Sequence, residues 1–168
     1  LALIALHLFI VHSLTARRPF LNPSLLLNRN FVIGLIIVAI YGMLNFTPMV
    51  LLPPMLQGLL GYPDGVIGVL LGLRGVGAIF GFFAAMFVSR LDPRIGMTIG
   101  FLIQIASGLH MSSFDINVTI MDVGLNSLMQ GLAIGIIWVP LTVAAFATLD
   151  NKHLAEASAV YHLLRNLG

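Results

Sequence analysis

The sequence contains no cysteine, and Asp, Glu, Lys and Arg together make up only 8% of its 168 residues. The absence of cysteine excludes disulfides, thiolate metal sites and cysteine nucleophiles from this chain. The scarcity of charge excludes an ordinary soluble domain, in which about a quarter of the residues are charged. With 59% hydrophobic residues, the composition is that of a protein embedded in lipid.

The sequence also lacks the motifs that carry enzyme chemistry. It has no Gly-x-Ser-x-Gly, no His-Glu-x-x-His, no phosphate-binding glycine loop and no pair of catalytic carboxylates. The histidines show no metal-ligand spacing, and we expect them to pack at helix interfaces: they are His7, His12, His110, His153 and His162. We therefore expect no enzyme, no cofactor and no bound metal.

The net charge of +2 comes from a few basic residues in short polar stretches. No basic run interleaved with aromatic residues is present, so we expect no nucleic acid among the partners. The expected partner of most of the surface is the lipid bilayer.

Long apolar runs separated by short polar stretches predict an all-α, polytopic transmembrane helix bundle. A spanning helix needs about 20 apolar residues. Runs of about this length predict complete helices at 31–60, 65–89, 96–114 and 122–149, between partial helices at 1–14 and 154–168. Residues 15–30, with three arginines and two prolines, predict a surface loop carrying a short interfacial helix. The chain starts without Met and both ends fall in apolar runs, so we expect a fragment of a longer polypeptide.

The loops between these spans alternate in positive charge. Every lysine or arginine that falls in a loop lies in the first, third or fifth one: Arg17, Arg18, Arg29, Arg90, Arg94 and Lys152. Because positive charge accumulates in cytoplasmic loops, this alternation predicts that the three basic loops are cytoplasmic.

Arg74 is the most unusual residue, since it lies near the middle of the apolar run 65–89. A charge at that depth costs at least about 2.5 kcal/mol, and such residues usually face a protein interior or a water-filled path. We expect Arg74 to act in a translocation path or in charge pairing, with a structural role in binding carbonyls of neighbouring helices as the alternative. Arg165, inside the last partial helix, suggests the same two roles.

Several uncharged polar residues also fall at predicted membrane depth: Asn45, Gln57, Gln104, Asn126 and Gln130. We place four of them, all except Gln104, with the arginines in the path or in charge pairing. Asn126 and Gln130 are one helical turn apart and share a face. They either line a cavity or form hydrogen bonds between helices, and we favour the hydrogen bonds.

Glycines recur four residues apart in several spans, and three pairs stand out: Gly68 with Gly72, Gly77 with Gly81, and Gly131 with Gly135. Small residues at this spacing let helix backbones approach closely in lipid, so we expect helix packing at all six. A second interpretation is that smooth glycine faces permit helices to rock during alternating access.

Six motifs follow one another along the chain: LPPMLQ at 52–57, GY at 61–62, GLRGVG at 72–77, RLDPRIG at 90–96, AEAS at 155–158 and LRNLG at 164–168. The ordered set resembles the 14-helix drug:proton antiporter branch of the major facilitator superfamily, the EmrB/QacA type. The resemblance covers nearly the whole chain and implies a fragment of the C-terminal half of such a transporter.

The resemblance implies proton-coupled efflux of lipophilic or cationic drug-like compounds by alternating access, with a proton gradient as the energy source. It implies a multi-pass protein of the bacterial cytoplasmic membrane, with the N-terminal half of the same transporter and a small-molecule substrate as further partners. Arg90, Asp92 and Arg94 would form a cytoplasmic latch loop. The alternative function is a non-transporting membrane sensor or assembly subunit that retains the fold.

Overall fold

A computed structural model of the protein describes residues 25, 27–88, 92–115, 117–150 and 153–167. These residues form helices joined by short turns, and no β-strand occurs among them. The helices are α1 (Arg29–Gly58), α2 (Asp64–Val88), α3 (Pro93–Ser112), α4 (Ile120–Phe146) and α5 (Leu154–Leu167). The predicted partial helix 1–14 and most of the predicted loop 15–30 lie outside the described residues.

Four of these helices, α1 to α4, are long and apolar enough to cross a membrane. The predicted fold class, an all-α polytopic bundle, is confirmed. Each of the four begins one to three residues before its predicted start and ends one to three residues before its predicted end. The shift arises because polar capping residues start these helices, whereas the prediction followed hydropathy alone.

The caps of α3 and α4 illustrate this effect. Asp92 precedes Pro93 in an extended conformation, and its carboxylate accepts a hydrogen bond from the Arg94 backbone N–H at 2.8 Å. Ahead of α4, the Asp122 carboxylate accepts from the Thr119 N–H at 3.1 Å, while the Thr119 hydroxyl accepts from the Asp122 N–H at 3.2 Å. These reciprocal bonds form a capping box and fix the start of α4.

A tight turn joins α1 to α2. Gly61 has a φ of 65°, in the left-handed region that glycine adopts without steric cost. This conformation lets the Tyr62 N–H donate to the Leu56 carbonyl at 3.1 Å. The Tyr62 hydroxyl then donates to the Val118 carbonyl at 3.3 Å, which ties the turn to the segment before α4.

The chain divides into two compact units. The first unit contains the start of α1, up to Gly42, and the chain from Ala144 onward. Its aromatic rings pack together: Phe146 lies 6.1 Å from Phe31 and 5.2 Å from Tyr161, measured between ring centroids. Its polar contacts include the Asn30 side chain, which donates to the Ala144 carbonyl at 2.6 Å.

The second unit runs from Met43 to Val143 and contains all of α2 and α3. Its apolar core joins α1, α2 and α4 through six buried side chains: Leu52, Leu56, Ile67, Leu70, Val118 and Val123. This unit also contains Arg74 and the other polar residues predicted at membrane depth between positions 45 and 130.

Candidate functional site

Arg74 and Asn45 lie in contact within the second unit. One terminal nitrogen of the guanidinium, Nη2, donates to the Asn45 backbone carbonyl and to the Asn45 side-chain oxygen, both at 2.6 Å. Hydrogen bonds from a charged donor are about twice as strong as neutral ones. The contact therefore joins α1 to α2 near the middle of both helices, and it brings together two of the residues predicted for a translocation path.

The turn of α1 at this contact is altered by a proline. Pro48 has no backbone N–H, so the carbonyl of residue 44, four positions earlier, receives no helical hydrogen bond from it. The Gln104 side chain, on α3, instead donates to the Leu44 carbonyl at 3.4 Å. Neighbouring helices commonly satisfy backbone groups that proline frees in a membrane helix. Two successive carbonyls of α1 thus accept from side chains on two other helices.

Four of the predicted packing glycines hold α2 and α4 in contact: Gly77, Gly81, Gly131 and Gly135. A Cβ atom at Gly131 would collide with the Arg74 carbonyl, and one at Gly77 would collide with the Leu128 carbonyl. Gly81 and Gly135 meet the opposite backbone in the same way. The two helices therefore touch through their main chains, and Arg74 lies at the level of Gly131.

Gly68 and Gly72 have a different environment. Both are exposed, and no atom of the described part of the chain lies within 4 Å of the position a Cβ would take. They make no contact with another described helix, so the packing role predicted for this pair stays a prediction.

The polar residues of α4 face α3. Asn126 is completely buried, and its side-chain oxygen accepts from the Ser107 hydroxyl at 2.8 Å. Gln130 is 1% exposed, and its Nε2 lies 3.8 Å from the Met111 sulfur. Of the two interpretations for Asn126 and Gln130, this geometry favours contacts between helices over the lining of a cavity.

Gln57 and Arg165 make other polar contacts. Gln57 is exposed in the last turn of α1, and its Nε2 donates to the Asp64 carboxylate at 2.8 Å. This position is one residue before the end of α1 at Gly58, and the role predicted for Gln57 in the path or in charge pairing stays a prediction. Arg165 belongs to the first unit, near the end of α5, and its Nη2 contacts the Asn166 side-chain oxygen at 3.3 Å.

The predicted latch loop is described only in part. Arg90 lies outside the described residues. Asp92 caps α3 by accepting from the Arg94 backbone N–H. This contact gives Asp92 a structural role at the start of α3. The latch role of Arg90, Asp92 and Arg94 stays a prediction.

Sequence analysis did not assign Gln104 or Ser107 to the site. Both are at least nine-tenths buried and lie three residues apart on α3. The signal that could have selected Gln104 is Pro48, because a proline in a predicted span requires a donor for the carbonyl four residues earlier. The identity of that donor depends on how α3 packs on α1, which the sequence does not reveal.

An apolar groove of about 490 Å³ lies beside these contacts, between α2 and α4. Its lining is apolar and comes from both helices: Val69, Leu70 and Leu73 on α2, and Ile120, Met121, Gly124, Leu125 and Leu128 on α4. In the described ranges, no three His, Asp or Glu side chains come together in a group that could hold a metal ion. The site therefore offers hydrogen bonds, one half-buried positive charge and apolar surface.

No protein-family model matches the chain. Among curated proteins, the multidrug export protein EmrB of Escherichia coli is 32% identical over 179 residues, covering 99% of this chain and 33% of the exporter. EmrB of Haemophilus influenzae is 29% identical over 177 residues, and the fatty acid resistance protein FarB of Neisseria gonorrhoeae is 28% identical over 167, with the same coverage. The chain is thus similar over nearly its whole length to multidrug exporters of the EmrB type.

The EmrB-type chain spans about a third of the length of the curated relatives it matches. The predicted family is thus confirmed, and with it the location: this is a multi-pass protein of the cell membrane.

Proposed function

We propose that the full-length EmrB-type protein is a secondary transporter that exports lipophilic or cationic drug-like compounds by alternating access, driven by a proton gradient. The relatives support export, since the Escherichia coli and Haemophilus influenzae proteins are named multidrug export proteins. The single structural observation that carries the proposal is the contact of Arg74 with Asn45 in the middle of the apolar helices.

The contact supports a transport function because it lies deep within the apolar helices. Arg74 lies ten residues after Asp64, the start of α2, which corresponds to about 15 Å along a helix axis. The hydrocarbon core of a bilayer is about 30 Å thick, so Arg74 lies near its midplane. Secondary transporters bind substrate and coupling ions at this depth. An arginine at this depth costs free energy unless it faces a protein interior or a water-filled path.

An apolar surface and a polar contact lie on different sides of α2 at this position. Leu73 lines the apolar groove between α2 and α4, whereas the next residue, Arg74, donates to Asn45 on α1. A lipophilic compound with one polar group would use both surfaces, since small-molecule sites are mostly apolar with a few placed polar groups. For a cationic compound, Arg74 would act by repulsion and would favour release when its contact with Asn45 loosens.

The test is transport by the full-length protein in vesicles. A fluorescent lipophilic cation should be pumped when an inward proton gradient is imposed, and a protonophore should abolish the pumping. Arg74→Ala should lower the turnover rate at least tenfold, the factor expected for losing about 1.4 kcal/mol from a charged hydrogen bond. Arg74→Lys, which keeps the charge as a compact ammonium, should retain part of the rate.

Two outcomes would contradict the proposal. Export by the Arg74→Ala protein at the wild-type rate would remove Arg74 from the mechanism. Absence of gradient-driven export for any probe by folded wild-type protein would favour a sensor or assembly subunit that retains the fold.

A further inference from the structure

The amide of Gln104 has one atom engaged and one atom without a partner. Its Nε2 donates to the Leu44 carbonyl at 3.4 Å, close to the longest distance at which such a bond forms. Its Oε1 is buried and has no hydrogen-bond partner among the described residues. A buried acceptor in this condition is unfavourable, so the arrangement around Gln104 is strained on one side.

A complementary unpartnered atom lies on α4. Nδ2 of Asn126, a donor, is buried and has no hydrogen-bond partner in the described part of the chain. The other side-chain atom of Asn126 accepts from Ser107, which follows Gln104 by three residues on the same face of α3. An unpartnered acceptor on α3 and an unpartnered donor on α4 are therefore linked through Ser107.

We propose that Gln104 is a positioning residue that exchanges hydrogen-bond partners during transport. In the conformation described, it serves the Leu44 carbonyl that Pro48 leaves free. When the part of α1 after Pro48 bends further and that carbonyl turns away, the Gln104 side chain moves to Asn126, so that its Oε1 accepts from the Asn126 Nδ2.

The exchange keeps the number of satisfied groups nearly constant. Serving Leu44 leaves the Gln104 Oε1 and the Asn126 Nδ2 without partners, and pairing with Asn126 satisfies both while releasing the Leu44 carbonyl and the Gln104 Nε2. Two arrangements with similar free energies are what a transporter needs in an element that moves, because small differential contacts can then shift the population. The role in the transport cycle rests on the proposed function, whereas the pairing of Gln104 with the proline-freed carbonyl does not.

The test is a double-mutant cycle that restores the missing donor. Pro48→Ala returns an N–H to position 48, so the Leu44 carbonyl regains its helical partner and Gln104 becomes dispensable there. Gln104→Met removes the amide but keeps a side chain of similar length. In full-length protein with Pro48, Gln104→Met should lower the maximal transport rate fivefold to tenfold, about the worth of one hydrogen bond, with little change in KM. In the Pro48→Ala background, the same substitution should change the rate less than about twofold.

The matched control combines Gln104→Met with Pro140→Ala on α4, since Pro140 frees the carbonyl of residue 136, which Gln104 does not contact. These two changes should be additive. Equal losses from Gln104→Met with Pro48 and with Ala at position 48 would overturn the proposal.

A second readout does not depend on transport. These 168 residues contain no cysteine, so spin labels can be attached through Leu51→Cys on α1 and Ile105→Cys on α3, both exposed. In a full-length background without other cysteines, the label distances should form two populations, and Gln104→Met should change their ratio only when Pro48 is present. A single unchanged population in all four proteins would overturn the exchange. If the protein with Gln104 and Pro48 unchanged showed both populations but no transport, that result would instead contradict the proposed function.

Discussion

Two interfaces of the second unit differ in what holds them together. Where α2 meets α4, glycines bring the main chains into contact, and no side chain separates them at Gly77, Gly81, Gly131 and Gly135. Where α1 meets α2 and α3, polar side chains reach its backbone near Pro48, from Arg74 to Asn45 and from Gln104 to Leu44. The first contact leaves little freedom because packed backbones are not continuously deformable. The second depends on hydrogen bonds that can change partners.

This difference suggests a division of roles. The pair α2 and α4 forms a rigid interface, which holds Arg74 in a fixed position relative to α4. The turn of α1 at Pro48 provides the element whose contacts can be broken and remade. The substitutions below test this contrast, beginning with the largest expected effect.

Gly131→Ala should have the largest effect, because the added methyl group would collide with the Arg74 carbonyl. Backbone cannot move aside as a flexible side chain can, so we expect a loss of about 3 kcal/mol in the stability of the full-length protein. Thermal unfolding in detergent measures this loss. The control is Gly72→Ala, which meets no described atom and should gain up to about 1 kcal/mol from helix propensity. Equal stabilities for the two variants would mean that the glycine contact is not rigid.

Ser107→Ala tests the contact of α3 with α4, which lies outside both interfaces compared above. Removing the hydroxyl leaves the Asn126 side-chain oxygen buried without its donor, and this should cost about 2 kcal/mol in thermal unfolding. Ser112→Ala is the control, since its hydroxyl donates to the Leu109 carbonyl of the same helix in an exposed position, and it should cost less than about 0.5 kcal/mol. A loss below that of the control would mean that α3 and α4 are not joined through Asn126.

Asn45→Leu tests the polar interface through transport. It removes one of the two oxygens of Asn45 that accept from Arg74 and leaves the backbone carbonyl in place. The turnover rate should fall about tenfold, since hydrogen bonds to charged groups are among the stronger ones. Thermal stability should fall less than in Gly131→Ala, because the Asn45 backbone carbonyl still accepts from Arg74. Asn117→Leu, in the exposed turn before α4, serves as the control and should transport normally. A stability loss as large as that of Gly131→Ala would show that the polar interface is as rigid as the glycine one.

The sequence predicts the glycine interface of α2 and α4 better than the polar interface of α1 with α2 and α3. Hydropathy located the four spans within three residues, because lipid demands long apolar runs whatever the packing. The glycine spacing selected Gly77, Gly81, Gly131 and Gly135, but Gly68 and Gly72 carry the same spacing and contact no described helix. Glycine spacing identifies a helix face without bulky side chains. Which of these faces contacts another helix depends on the register between the helices.

The sequence does not predict which side chains on different helices form hydrogen bonds, because these contacts also depend on the register between helices. Arg74 and Asn45 were both selected as deep polar residues, yet their contact across 29 positions follows from the packing of α1 on α2. Pro48 identifies Leu44 as the carbonyl that needs a donor, and only the position of α3 identifies Gln104 as that donor.

Thr47→Val should have the smallest effect and sharpens the contrast within α1 itself. The Thr47 hydroxyl donates to the Met43 carbonyl at 2.6 Å, a bond within one helix that tends to bend it, and it lies directly before Pro48. Valine keeps the shape without this bond, so stability should change by only about 0.5 kcal/mol. Thr98→Val on α3 removes an equivalent bond, from Thr98 to the Arg94 carbonyl at 2.9 Å, away from any internal proline. If the turn at Pro48 is the adaptable element, only Thr47→Val should shift the spin-label distance between α1 and α3; equal shifts for both variants would place the bending elsewhere.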